Sequence, residues 1–184
     1  MPVQTIFSNH SRVITQCDSL QIVAGLNAVV GDEGRGKTRF LRQLSETHLQ
    51  AIWLDLKLPE HDEHTPEEVW QIIQSQWPQW HPTLCQDLCE ALNLQEHLGK
   101  RLFMLSAGSR RKVGLVGLLA SGAQVTCLDQ PYVALDLASI QVLREFLEDV
   151  SQEPSRAWVV ADYEADPHIE WQNLIDLDQM NGWP

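Results

Sequence analysis

Gly31-Asp32-Glu33-Gly34-Arg35-Gly36-Lys37-Thr38 is the stretch on which the reading of this chain turns. It fits the pattern G-x-x-x-x-G-K-[ST], which works only between a buried strand and a helix. Both are written around it. Leu26-Asn27-Ala28-Val29-Val30 reads as a short buried strand, and Phe40, Leu41 and Leu44 fall on the inward face of a helix expected from Thr38 to about Glu46. Glycines let such a loop wrap so that successive N–H groups face phosphate oxygens, and the helix start adds the positive end of its dipole. Lys37 is expected to reach the β- and γ-phosphates, and the Thr38 hydroxyl to ligate Mg²⁺. The candidate nucleotide-binding set is therefore Gly31, Asp32, Glu33, Gly34, Arg35, Gly36, Lys37, Thr38 and Arg39. A plain Gly-rich turn is the alternative, and the flanking pattern weighs against it.

Outward from the loop, charge is unevenly placed. The chain has 184 residues and a formal net charge of −12. That length suits one domain with a substantial core, and that charge argues against a nucleic-acid binder. Yet nine of the 13 lysines and arginines lie in two short stretches: Arg35, Lys37, Arg39 and Arg42, then Lys100, Arg101, Arg110, Arg111 and Lys112. Basic islands on an acidic chain suit a small polyanion such as a nucleotide, with two solvated helix faces as the alternative. No run of about twenty apolar residues suggests a membrane span. Met1 to Asn9 has neither a basic start nor an apolar centre, so no secretory signal is expected. Cys17, Cys85, Cys89 and Cys127 lack disulfide or zinc spacing, and a reduced, cytosolic chain is expected.

Upstream, Val3 to Phe7 reads as an edge strand. Phe7 is a candidate for stacking on an adenine ring, with a core or edge role as the alternative. Leu20 to Val23 and Leu26 to Val30 read as two strands broken at Ala24-Gly25. Downstream, Ala51 to Leu56 is expected to be another buried strand. His61, Asp62, Glu63 and His64 are metal-capable but lack a defining spacing, and a solvated loop is favoured. Thr65-Pro66-Glu67-Glu68 has the form of a capping box with proline at the first helical position, and Pro78 should end that helix near Trp77. Thr83 is expected to open a second helix, with Leu84, Leu88, Ala91 and Leu92 on one face. His81, Cys85 and Cys89 align along it, and packing is favoured over ligation because free cysteine behaves as a small hydrophobe.

Leu105-Ser106-Ala107-Gly108-Ser109-Arg110-Arg111-Lys112 opens a further helix, in which Gly114 and Gly117 imply close packing against a neighbour. Gln124 to Leu128 is a buried strand ending in Asp129. A helix from about Leu137 to Asp149, a strand over Ala157 to Ala161 and a last strand over Asn173 to Leu177 follow. Strands alternating with helices imply an α/β domain with a mainly parallel sheet. A single domain over residues 1–184 is expected, with a helical insertion at about residues 65–122.

Asp129 stands at the C-terminal end of a buried strand, where open parallel sheets place their ligands, and is expected to hold Mg²⁺ opposite Thr38. The order of motifs then becomes specific: the phosphate loop, L-S-A-G-S, V-T-C-L-D-Q-P, and Ala134-Leu135-Asp136. This resembles the nucleotide-binding subunits of ABC transporters. Leu105, Ser106, Ala107, Gly108 and Ser109 look like that family's signature, Gln124 to Gln130 like its Walker B strand, and Ala134 to Asp136 like its D-loop. The resemblance implies a P-loop NTPase fold of the ABC ATPase kind that binds ATP and Mg²⁺. It also implies a second nucleotide-binding subunit, whose signature acts in trans through groups such as Ser106 and Gly108, and this would explain the basic residues at 110–112. A membrane-spanning partner and a place on the cytoplasmic face of the inner membrane are implied as well. Trp70, Trp77 and Trp80 are candidates to touch that partner, or else the insertion's own small core. L-S-A-G-x-x-R-[RK]-V and L-D-x-P-[FY]-x-A-[IL]-D look most like the ATP-binding subunit of the haem exporter of cytochrome c maturation. That subfamily resemblance goes with the expectation of a small subunit without a C-terminal regulatory extension.

Three departures touch catalysis. Gln130 stands where the family has its glutamate base, and an amide cannot accept a proton. Asp162 stands at the place of the switch histidine, where a carboxylate repels a γ-phosphate. Asp55 falls near the place of the Q-loop glutamine, a metal-contacting position. A fourth is structural: few residues separate the loop's helix from the strand at 51, so the antiparallel β-subdomain should be reduced. Binding is expected to survive better than hydrolysis. A non-catalytic, nucleotide-dependent interaction protein is the alternative function.

Overall fold

The computed structural model describes residues 12–17 and 20–180; the strand expected at Val3–Phe7, and Phe7 with it, lies outside them. The chain divides into two compact units, one of residues 1–53, 124–131 and 144–184, the other of residues 54–123 and 132–143.

The first unit holds a five-stranded sheet, in which β3 (Gly25–Val30), β4 (Ala51–Ile52), β5 (Val125–Asp129), β6 (Ala157–Asp162) and β7 (Asn173–Asp176) lie in the order β4-β5-β6-β3-β7. Every neighbouring pair is parallel. Parallel strands covered on both faces need apolar side chains at successive positions instead of alternate ones. β5 and β6 accordingly bury every residue but their last, Asp129 and Asp162. Asn27 is the polar exception in β3. Fully buried, it accepts from the Val23 N–H at 2.9 Å and from Asn173 Nδ2 at 3.1 Å, and donates to the Val23 carbonyl at 2.8 Å. Its desolvation is thus offset by bonds that tie three strands together.

A separate two-stranded antiparallel sheet, β1 (Val13–Cys17) and β2 (Leu20–Val23), is all the antiparallel structure among the described residues. The expected reduction of the β-subdomain is met. Helix α1 (Lys37–Thr47) turns Phe40, Leu41 and Leu44 fully inward. Burying each such side chain contributes roughly 1.5–3 kcal/mol, and together with Val29, Cys127, Val159 and Ile175 they form the core behind the phosphate loop. The strand expected over Ala51–Leu56 is only two residues long. It pairs on one side only, with Val125 and Thr126 of β5, and from Leu54 onward the chain belongs to the second unit.

In the second unit, helix α2 (Pro66–Gln76) has the full capping box, Thr65 accepting from the Glu68 N–H and Glu68 from that of Thr65. α2 ends two residues before Pro78, as the ring requires. Helix α3 (Pro82–Ala91) opens one residue earlier than expected, with His81 at its N-cap and no side-chain cap, because Pro82 fits the first helical position. Helix α4 (Ala107–Ala120) is buried without a break from Val113 to Ala120. The close packing implied by its glycines is present: a Cβ on Gly117 would stand 2.6 Å from Ile73 Cδ1, and one on Gly114 3.4 Å from Leu56 Cδ1. Burial pushes the Cys85 thiol up to about 11 and raises that of Cys89, as it does for packed thiols. Helix α5 (Leu137–Val150) begins in the second unit, where it buries Leu143, and continues into the first, where it buries Leu147. No described helix is long and apolar enough to cross a membrane.

Candidate nucleotide-binding site

The C-terminal edge of the parallel sheet gathers the chemistry. β3 ends at Val30, the loop runs from Gly31 to Gly36, and α1 begins at Lys37. Gly36, the N-cap, lies at φ 87°, a conformation that disfavours any residue with a Cβ. No side chain caps α1 and no acidic residue sits in its first turn. A helix start left this way has backbone donors and a positive dipole end suited to an anion.

Lys37 is 7% exposed. Its ammonium donates to the carbonyls of Gly31 and, at 2.9 Å, Asp32, and it stands 4.5 Å from the ring centre of Tyr163. All three partners are neutral. Thr38 Oγ1 donates to Asp129 Oδ2 at 2.7 Å, so the two residues expected to share Mg²⁺ meet directly. A hydroxyl and a carboxylate fit the hard oxygen set that Mg²⁺ takes, with phosphate and water oxygens completing the shell. Arg39 is exposed, and Arg42 stacks its guanidinium 5.0 Å from the Trp53 ring centre. The guanidinium of Arg35 lies on Asp178.

Register places the two degenerate positions on the same edge. Asp129 is level with Ala161, and Asp162 with Val30, the residue that enters the loop. Gln130, just past β5, donates its N–H to the Ala161 carbonyl at 2.8 Å and sits at φ 44°. A non-glycine residue held there is strained, as happens at sites whose surroundings over-determine the backbone. The Asp162 carboxylate accepts from the Tyr163 N–H at 2.8 Å.

The signature lies in the second unit. Ser106 caps α4, its hydroxyl accepting from the Ser109 N–H at 3.1 Å, and Ser109 Oγ lies 3.3 Å from His97 Nε2. Gly108 is there for want of space: a Cβ would stand 2.5 Å from the carbonyl oxygen of Ala134. The D-loop segment is thus pressed against the signature backbone within this unit. Asp136 accepts from Lys112 Nζ at 2.7 Å and from Ser139, which hold its carboxyl well below the usual range. The basic stretch has an internal explanation that the sequence did not suggest. Arg110 donates to Asp62 at 2.6 Å and to the carbonyls of Leu56 and Leu58, and Lys112 donates to Asp136 and to the Leu92 carbonyl. Those two cations tie separate segments of the unit together. Asp55 accepts from the Lys57 N–H at 2.9 Å, closing a local turn in the second unit.

Two residues at the sheet edge were missed. Tyr163 carries no motif. Asp178 carries none either: the strand-end rule that picked Asp129, the last residue of β5, points in β7 to Asp176.

Comparison with known proteins bears on the fold and on the sequence as a whole. No family model matches the chain. Over 77 residues it is 38% identical to the cytochrome c biogenesis ATP-binding export protein CcmA of Paramagnetospirillum magneticum, a match covering 42% of this chain and 35% of that protein. Over 68 residues it is 26% identical to the ABC transporter ATP-binding protein NatA of Bacillus subtilis, covering 37% of this chain and 28% of that one. The matches thus span about a third of the length of these relatives. An ABC transporter ATP-binding protein of Pyrococcus furiosus superposes with a TM-score of 0.69 at 19% identity, over 89% of this chain and 90% of that one. The chain therefore resembles the ATP-binding subunits of ABC transporters in sequence over part of its length and in fold over most of it.

Proposed function

We propose that this chain is the ATP-binding subunit of an ABC-type transporter, taking MgATP at Gly31–Thr38 and pairing through residues 105–109 with a second nucleotide-binding subunit. The contact between Thr38 and Asp129 beneath an uncapped helix start is the observation that carries this reading. Bound Mg²⁺ would offset phosphate charge; the chain supplies Lys37, the loop amides and two oxygens to hold the pair. Phe103, Met104 and Leu137, large apolar residues left exposed near the signature and D-loop in sequence, support a protein partner on that side of the second unit. Trp70 is buried and donates to the Val113 carbonyl, so it serves the unit's own core. The half-buried Trp77 and Trp80 remain the candidates for a membrane-spanning subunit at the cytoplasmic face of the inner membrane. Similarity to a cytochrome c biogenesis export protein supports haem export as the process served.

Hydrolysis is proposed to be slow or to depend on a partner with complete residues. Gln130 can orient a water but not take its proton, and Asp162 sets a carboxylate level with the loop entrance. The same two residues favour a second reading, a non-catalytic protein whose assembly state follows bound nucleotide. Calorimetry with MgATP and a non-cleavable analogue tests the site, and absence of binding by either would overturn it. Phosphate release, measured alone and with a co-purified membrane subunit, separates the readings: turnover only in the complex supports the first, none in either the second. Gln130→Glu alone should add little activity, whereas Gln130→Glu with Asp162→His should raise phosphate release by about 100-fold, the scale of one positioned base.

A further inference from the structure

The phosphate loop is gripped from outside by the segment that leaves β7. Within the loop, Asp32 to Arg35 form a turn, the Arg35 N–H donating to the Asp32 carbonyl at 3.3 Å. Asp178, in the 3-10 turn Leu177–Gln179, meets both ends of it. Its carboxylate accepts from the Asp32 backbone N–H at 2.9 Å and from Arg35 Nε, and its carbonyl accepts from Arg35 Nη2 at 3.1 Å. Asp178 is fixed in turn by Asp176, whose carboxylate accepts from the Asp178 N–H at 2.9 Å and from Gln179 Nε2 at 2.7 Å. Asp176 is the register partner of Val30, the last residue before the loop. Beside these bonds, a Cβ on Gly31 would lie 3.3 Å from Leu177 Cβ.

We propose that Asp178 is a positioning residue for nucleotide binding: it clasps both ends of the Asp32–Arg35 turn and so holds the loop in its phosphate-accepting shape. The inference rests on the nucleotide-site reading above. A loop with three glycines in eight residues loses much backbone freedom when it orders around a ligand, and ordering it beforehand lowers that cost. The clasp takes up the amide of Asp32 at the loop's entry and leaves the uncapped start of α1 to the ligand. It also neutralises Arg35, so the ligand meets Lys37 as the working cation. Arg35 holds the Asp178 carboxyl below its usual range, so the clasp is ionised at neutral pH. An exposed ion pair of this kind adds little to global stability; its consequence lies in the order of the loop.

The test compares the full chain with Asp178→Ala, Arg35→Ala, the double variant and Asp178→Asn. Asp178→Ala should weaken MgATP binding by about threefold to tenfold, Arg35→Ala by a similar factor, and the double variant by no more than either. Asp178→Asn keeps one acceptor and should fall between wild type and Asp178→Ala. Losses that multiply in the double variant would overturn the clasp, because the two residues would then act separately, and so would unchanged affinity in Asp178→Ala. Hydrogen exchange without nucleotide gives an independent readout: the Asp32 amide should exchange about tenfold faster in Asp178→Ala at an unchanged melting temperature. Equal exchange would overturn the clasp. If the wild-type chain bound no MgATP, the nucleotide-site reading would fail, and the exchange result would still decide whether Asp178 orders the loop.

Discussion

Lys37 in the phosphate loop and Arg110 in α4 are both largely buried cations in basic stretches, but their partners differ in kind. Lys37 is held by two carbonyls and the face of a ring. Arg110 is held by two carbonyls and the carboxylate of Asp62. A cation on neutral partners can exchange them for a phosphate and gain a charge-assisted contact. A cation already on a carboxylate gains less from such an exchange, because it gives up one opposite charge to meet another. Sequence spacing makes the two stretches look like one kind of site; partner chemistry sets them apart, in keeping with the proposal that the first takes phosphate and the second ties the fold together. Arg35 sharpens the distinction, since it sits in the loop yet is held by Asp178 and so belongs with Arg110.

The comparison breaks most readily at Lys37. Lys37→Ala should lower MgATP affinity by roughly 100-fold or more while the melting temperature stays within a degree or two of wild type. Unchanged affinity by calorimetry would remove Lys37 from the site. Gly108→Ala should cost about 1–3 kcal/mol in urea unfolding, because its methyl would press on the Ala134 carbonyl from 2.5 Å and neither backbone can yield freely. A neutral result would mean that the signature and D-loop segments are not in register contact. Arg110→Ala should cost about 1–2 kcal/mol and leave MgATP affinity of the isolated chain unchanged. An affinity loss there, with stability intact, would make Arg110 a ligand after all.

What the sequence made legible follows the same line. The loop, its strand and its helix could be read because local spacing dictates them: the turn residues, the buried run of β3 and the inward face of α1 are all near neighbours in the chain. Asp129 and Thr38 could be paired because a strand-end acid facing a phosphate loop is a recurring solution. The strand at 51 was overestimated because Trp53, Leu54 and Leu56 continue the apolar run, and nothing local says that the sheet ends after Ile52. The partners of Arg110 and Lys112 were hidden because Asp62 lies 48 residues away from Arg110 and Asp136 lies 24 residues from Lys112. Charge clustering along a chain reports where cations are, not which carboxylates the fold carries to them. Asp178 was hidden for the same reason, 143 residues from Arg35.

The smallest effect is expected at Tyr163, and it bears directly on whether neutral partners are exchangeable. The ring lies 4.5 Å from Lys37 Nζ, an interaction of about 0.5–1 kcal/mol at a half-exposed site. Tyr163 is 48% exposed, so its removal leaves no cavity and should not disturb folding. If the ring only occupies the ammonium until phosphate arrives, Tyr163→Ala removes a competitor, and MgATP affinity should rise by about twofold to fivefold. Tyr163→Phe keeps the aromatic face and should match wild type. Weaker binding in Tyr163→Ala, restored in Tyr163→Phe, would show the opposite: the ring would then stay on Lys37 or stack on the ligand in the bound state, and the neutral partners of that lysine would be part of the site instead of placeholders for it.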